Sequence, residues 1–464
     1  PHRLGLAATG DAALLARVGE VTAREMAATG VFWTFSPMVA VTQDERWGRT
    51  YESFGEDTRA VTRLGVAYVT GMMAALGPGL PRPLPTAKHF IGDGATTYGS
   101  SQTRHFLLDE GDARGESERM LATLLPPYRG LLEAGTGCVM ASFNRWNGVR
   151  MHAHAGLLTG ILKGQLGFQG FVVSDWEGFR VLDGSRHQQI VSEVNAGVDM
   201  TMAPLSVEDF GVELADAVAR GEVTRARIDD AVRRILRVKF SMGLFEHPGA
   251  VPALAGAFGS RAHRAVAREA VGKSLTLLKT VPGALPIHRG STVLVAGTHA
   301  NNLGLQCGGW TLHWQGVTSS AGLKGSTLLD GLREAGGATT RVLFSVTGRF
   351  PGRADYGVVA VGEQPYAEGV GDRPMEQLVL SAADLATLRD RAKSLSANFV
   401  LRSCALKGAT GPCAMRLAGN MTSPPKTILD SIVNHTQRCP ARRPNSASNS
   451  CPCRRGSGCA APPG

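Results

Sequence analysis

A carboxylate set directly after an apolar run is the first chemical signal in this chain. In residues 167–179, GFQGFVVSDWEGF, Asp175 and Trp176 follow Phe171, Val172 and Val173. A glycine-flanked, β-branched run reads as a buried strand of a parallel sheet, and an aspartate ends such a strand rather than joining its core. A carboxylate there can attack an anomeric carbon, while the neighbouring indole offers a flat apolar face to a sugar ring. The plainer alternative is that Asp175 caps the next helix or solvates a loop. Other strand ends carry polar groups too: Asp44, Arg46 and Arg49 after VFWTFSPMVAV, Lys88 and His89 in PTAKHFIGDG, and Asn144 in CVMASFNRWNG. Adjacent side chains on a strand face opposite ways, so one of Lys88 and His89 is expected to reach the mouth of the sheet. Such donors bind hydroxyls, although a satisfied structural histidine and a solvated lysine are the commoner roles. The run DERWGRTYESFGED carries Arg46, Arg49, Glu52, Glu56 and Asp57. It reads mostly as a loop-stabilising ion network with one member reaching a substrate.

These residues need elements to hold them. From Asp11 as N-cap a helix runs to Gly30, followed by the strand VFWTFSPMVAV. Helices over 57–76, 117–134, 156–166 and 187–196 then precede strand-like segments ending in KHFIGDG, SFNRWNG, VVSDW and GVDMTMA. Repeated helix and strand units with right-handed crossovers close into a (β/α) barrel whose functional groups gather at strand ends. About five strands are visible, so an eight-stranded TIM-like barrel requires strands before Pro1. Two further helices, at 207–221 and from 224 to about 245, lead to a Pro- and Gly-bearing linker at 246–260. A second unit alternates again: helix 261–279, strand 291–302, helix 327–337, strands 341–346 and 356–366, helix 381–395, and the start of a strand at 398–401. The expectation is an α/β chain: an incomplete (β/α)8 barrel at 1–245, an incomplete α/β sandwich at 261–401, and a disordered or out-of-frame tail at 402–464.

The 464 residues are 43% hydrophobic and 19% charged, ordinary for a globular protein, and no run approaches a membrane span of roughly 20 apolar residues. The formal charge of +10 invites a nucleic-acid partner until its location is considered. Residues 401–464 hold nine Lys or Arg against Asp430 alone, leaving the other 400 nearly neutral. Six of the eight cysteines (Cys404, Cys413, Cys439, Cys451, Cys453 and Cys459) share that tail, with no paired zinc spacing. No metal, cofactor, nucleic-acid or membrane partner is expected.

Seven segments in order, RWGRTYESFGED, AKHFIGDG, SFNRWNGVRMHA, GFVVSDWEG, RIDDAVRRILRVKFSMGLFE, CGGWTLHWQG and VAVGEQPYAEGVGD, resemble glycoside hydrolase family 3, in its exo-β-glucan glucohydrolase and β-glucosidase branch. The resemblance runs from Pro1 to about Leu401. It implies Asp175 as nucleophile and Glu368 as general acid/base, with Glu363 as the competing candidate. It also implies Arg49, Lys88 and His89 as sugar-hydroxyl binders, and Trp176 and Trp314 as the aromatic pair around the sugar on the leaving-group side. Retaining hydrolysis of β-linked glucosides from non-reducing ends is the implied activity, with Asp175 ionised and Glu368 holding its proton near neutrality. Rival readings are a family-3 β-N-acetylglucosaminidase or β-xylosidase, or an inactive carbohydrate-binding remnant. Two departures stand out: Phe143 replaces a common tyrosine, and the family's early-strand aspartate has no counterpart after Pro1. A truncated chain is expected to fold poorly or work weakly, and a full-length parent to be secreted or periplasmic.

Overall fold

The computed structural model describes residues 2–103, 106–279, 282, 284–394, 398–404 and 414–418. Four parallel strands form the first sheet in the order Trp33–Thr34, Leu84–Phe90, Cys138–Ala141 and Phe171–Val173. Parallel bridges from Met38 to Lys88 and from Val173 to Met200 prolong it. Helices return the chain between strands, as the alternation requires. Asp11 and Asp57 start two of them, Ala12–Ala28 and Thr58–Ala74, each accepting an N–H three residues on, from Leu14 and Ala60. These two helices cross in backbone contact. A Cβ on Gly71 would lie 1.9 Å from the Ala16 carbonyl oxygen, and one on Gly19 2.1 Å from that of Tyr68. Both faces of the sheet are apolar: Val139, Ala87 and Val172 pack towards one cluster, Cys138, Met140, Phe171 and Val173 towards the other. The sheet is thus the partial (β/α) barrel the alternation implied.

The second sheet has six strands, in the order Arg341–Ser345, Thr292–Ala296, Tyr356–Gly362, Asn398–Cys404, Ala414–Ala418 and Thr276–Lys279. All pairs are parallel except Asn398–Cys404 with Ala414–Ala418. Three expectations change here. The helix expected over 261–279 stops at Ser274, and Thr276–Lys279 turns into an edge strand because its backbone finds a ladder partner in Ala414–Ala418. The boundary expected at 401 is crossed, since Asn398–Cys404 pairs along all of Tyr356–Gly362 and Ala414–Ala418 lies beyond it. The rest of the expected tail, 405–413 and from 419, lies outside the described residues. In the barrel region, the helix expected over 117–134 is two helices, Ser117–Leu124 and Pro126–Glu133, broken where Pro126 and Pro127 cannot continue the ladder.

The helix Arg3–Ala8, the helix Leu303–Cys307 and a three-stranded sheet of Asp112–Ala113, Arg145–Trp146 and Val149–Arg150 were not anticipated; each is too short to show a period. The linker carries a 3₁₀ turn, Pro252–Ala257, whose preceding Val251 N–H donates to Ala27 O at 2.9 Å. The two lobes meet through backbone. Asp372 accepts from the N–H groups of Gly48 (2.7 Å), Leu108 (2.7 Å) and Asp109 (2.9 Å), and the Tyr51 hydroxyl donates to Tyr366 O at 2.7 Å. A Cβ on Gly48 would lie 2.8 Å from the backbone of Gly371. Among the described residues no helix is long and apolar enough to cross a membrane.

Candidate active site

The strand Phe171–Val173 delivers Asp175 into a buried polar pocket. Its N–H donates to His152 Nε2 at 3.0 Å, and its Oδ1 accepts the Trp176 N–H at 2.7 Å. Its Oδ2 has no hydrogen-bond donor and lies 3.6 Å from His89 Nε2. Burial, then the charge of Glu368, push the Asp175 carboxyl up to about 6 against the opposing pull of Arg49 and Lys88. At neutral pH a carboxyl held there is mostly ionised. Burial, followed by the nearby Arg150, drives His152 down to about 3, leaving a neutral ring that accepts the backbone bond. Phe143 packs 5.6 Å from that ring, in a position without a hydroxyl. Glu177 turns away: it accepts from Leu205 N and Ser206 Oγ and pairs with Arg180.

Opposite Asp175 stands a charged group built on the 3₁₀ segment Gly48–Glu52. Arg49, 2% exposed, pairs side-on with Glu52 (Nε–Oε1 2.9 Å, Nη2–Oε2 3.1 Å) and reaches Glu368 Oε1 with Nη1 at 2.5 Å. Burial opposes its charge, but Glu52, Glu368 and Asp109 more than compensate, holding the guanidinium well above its ordinary range. Burial raises the cost of the Glu52 carboxylate, yet Arg49 and Lys88 bring it down to about 2. Burial and Arg49 lower Lys88, with Glu52 and Asp175 opposing. Trp310 covers this group: its Nε1–H donates to Glu52 Oε1 at 2.9 Å, and Lys88 Nζ and Arg49 Cζ lie 5.8 and 5.9 Å from its ring.

Glu368 comes from the second lobe, on the loop after Tyr356–Gly362. Its Oε1 faces Arg49, and its Oε2 accepts from Trp314 Nε1 at 2.8 Å. The family resemblance implies a protonated acid; the geometry offers both oxygens as acceptors. Glu363, the competing acidic residue, is committed within its own lobe, accepting from the Tyr366 hydroxyl at 2.7 Å and pairing with Arg373 at 3.2 Å.

Asp175, Glu368, Arg49, Lys88, His89 and Trp314 therefore share one neighbourhood. Trp176 joins it through its backbone N–H, with a half-exposed ring. The expectation that only one of Lys88 and His89 faces the site fails: His89 Nε2 lies 3.6 Å from Asp175 Oδ2, while Lys88 sits under Trp310 and its charge is felt by Glu52 and Asp175. The ladder to Cys138–Ala141 shifts register between Ala87 and Phe90, which suspends strict alternation. Asn144 spends its amide on Ile91 O and Arg145 O, and Asp44 pairs with Arg46, so neither joins. Asp57 is a helix cap. Sequence reasoning missed Trp310 and Asp93. Asp93 stands in KHFIGDG, four residues beyond the histidine it bonds at 2.7 Å. Away from the pocket, His187, Glu213 and Asp216 bring ligand atoms within 4.8 Å of one another. Partly exposed, and paired with Glu222 and Arg220, they fit a surface ion network.

Two α/β lobes thus contribute carboxylates, Asp175 and Glu368, to one cationic, indole-covered group of side chains. A family model for the glycosyl hydrolase family 3 N-terminal domain matches residues 1–238, and the chain belongs to that family. It is 32% identical over 407 residues to a lysosomal beta glucosidase of Dictyostelium discoideum, a match covering 80% of this chain and 48% of that protein. It is 32% identical over 359 residues to a periplasmic beta-glucosidase of Salmonella typhimurium, covering 74% and 44%. Among solved structures, an exo-1,3/1,4-beta-glucanase from a Pseudoalteromonas species (Q683A mutant) superposes with a TM-score of 0.80 at 36% identity, covering 90% of this chain and 69% of that one. The chain spans about half the length of these curated relatives.

Proposed function

We propose that this chain carries the catalytic centre of a retaining, exo-acting β-glucosidase or β-glucan glucohydrolase. The observation that carries the reading is Asp175: a buried carboxylate with one donor-free oxygen, facing His89 and sensing the charge of Glu368 from the other lobe. Glu368 protonates the glycosidic oxygen as that bond breaks, while Asp175 bonds to the anomeric carbon. Glu368 then takes a proton from water, whose oxygen displaces Asp175 and restores both carboxyl groups. Retention asks for a separation of about 5 to 5.5 Å between the two carboxyls. Before it can donate, Glu368 must give up Arg49 or Trp314 as a partner. Arg49, Lys88 and His89 bind sugar hydroxyls, with Trp176 and Trp314 flanking the leaving-group side. Residues 1–245 and those from 261 serve as the two lobes of this site. The names of relatives, two of them periplasmic, support a non-cytoplasmic setting.

The test is a mechanism-based 2-fluoroglucoside. Peptide mapping is expected to find the label on Asp175, and D175N to abolish both labelling and aryl β-glucoside turnover. A label on another residue overturns the assignment. Relatives named for β-xylosidase and β-N-acetylglucosaminidase activity supply the rival substrates. Aryl xylosides and N-acetylglucosaminides are expected to turn over more slowly than aryl glucosides.

A further inference from the structure

His89 stands between two carboxyl groups. Its Nδ1 lies 2.7 Å from Asp93 Oδ2, and its Nε2 lies 3.6 Å from Asp175 Oδ2. Both carboxyls also carry an orphan: Asp93 Oδ1 and Asp175 Oδ2 have no hydrogen-bond partner. The histidine is 3% exposed, and burial, Arg49, Lys88, His152 and Arg3 all disfavour its cation, so the ring is neutral and has one proton to share between two nitrogens.

While Asp175 is ionised, as a nucleophile requires, two arrangements are open. With the proton on Nδ1, Asp93 is an ionised acceptor and the Nε2 lone pair points at an ionised Asp175. That leaves two buried anions and one repulsive contact. With the proton on Nε2, Asp93 must itself carry a proton and donate it to Nδ1. Only Asp175 is then charged, and a donor faces its bare oxygen across a gap that a small swing of either group closes. We propose that Asp93 works as a neutral acid whose O–H donates to His89 Nδ1, fixing the tautomer that presents Nε2–H to Asp175 and to a hydroxyl bound beside it. This is the reverse of a triad in which an ionised aspartate accepts from the histidine. Asp93 is a positioning residue, acting through His89.

Burial pushes the Asp93 carboxyl up to about 7 against the pull of Arg49, in keeping with that role. The groups facing it are Arg49 and Glu52 from Gly48–Glu52, His89 from Leu84–Phe90, Tyr128 from Pro126–Glu133, and the N–H of Gly94 on its own segment. Tyr128 donates to the His89 carbonyl and pins the same residue.

The kinetic consequence rests on the glucosidase reading; the tautomer does not. Nitrogen-15 spectra of histidine-labelled protein, taken between the values of Asp175 (about 6) and Asp93 (about 7) and with His89 assigned through H89N, are expected to show its proton on Nε2. A proton on Nδ1 overturns the proposal whatever the activity. In turnover, the amide of D93N can donate to Nδ1 as the acid does. It is expected to retain activity that D93L loses by about 10- to 100-fold in kcat/KM, and to lack the fall that the parent shows as pH rises above 7. Folded D93N as impaired as folded D93L overturns it. If D93L does not fold, the wild-type spectrum and the D93N pH profile decide. If the parent turns over no β-glucoside, the function reading fails and the spectrum alone decides the tautomer.

Discussion

Asp175 keeps its charge only because cations face it. Its folded-state value near 6 reflects burial and the charge of Glu368, opposed by Arg49 and Lys88. As the proposed nucleophile it works ionised, so kcat/KM is expected to fall as pH drops through about 6. Removing Lys88 takes away a lowering influence. In K88M the acidic limb is therefore expected to move to higher pH, alongside a raised KM from the lost hydroxyl contact. A pH–rate series on an aryl β-glucoside checks this, and a limb that stays put or moves to lower pH refutes it. At this scale the sequence was informative where chemistry and strand ends coincide, as at Asp175, Lys88 and His89. It was silent on Trp310, whose role depends on a positive φ of 61° and a contact with Glu52 far away in the chain. It also ranked Asp44 and Asn144 with the site, because a strand end alone does not say whether a polar side chain faces the pocket or bonds its own backbone.

Among the elements, the 3₁₀ segment Gly48–Glu52 matters most, because it supplies Arg49 and Glu52 and also touches the other lobe. Gly48 has no room for a side chain: a methyl there would meet the Gly371 backbone at 2.8 Å. G48A is expected to push the lobes apart, loosen the Arg49–Glu368 pair, and lower kcat/KM by at least tenfold while leaving far-UV circular dichroism unchanged. Unchanged kinetics would show that the interface yields without disturbing the pair. Long amphipathic helices and β-branched strands were readable from period and caps, as Ala12–Ala28, Thr58–Ala74 and Tyr356–Gly362 illustrate. Thr276–Lys279 was not, since four residues continuing a helical pattern become a strand only when a partner arrives from more than 130 positions later. Such long-range pairing leaves no local trace.

Across the whole molecule, burial of acids sets how stability answers to pH. Glu193 is fully buried on the helix Arg186–Ala196; Thr201 donates to one oxygen at 2.6 Å, and the other has no partner. Burial pushes its carboxyl up to about 8 from the usual 4.5. The folded state therefore binds more protons than the unfolded state between those values, so this contribution is full below 4.5 and is lost as pH rises towards 8. E193Q removes the titration. Its melting temperature is expected to gain on the parent's steadily from about pH 5 to about pH 8, and a constant difference would refute the assignment. A different property of the whole follows from Asp372, one carboxylate that gathers the amides of Gly48, Leu108 and Asp109 across the lobe boundary. Those three amides come from two separate barrel loops, so the loop bearing Glu368 is not an interchangeable cassette. A hybrid that borrows it from a relative inherits the alignment only if both loops travel with it, and sequence drift on either side of the boundary is bound to be concerted.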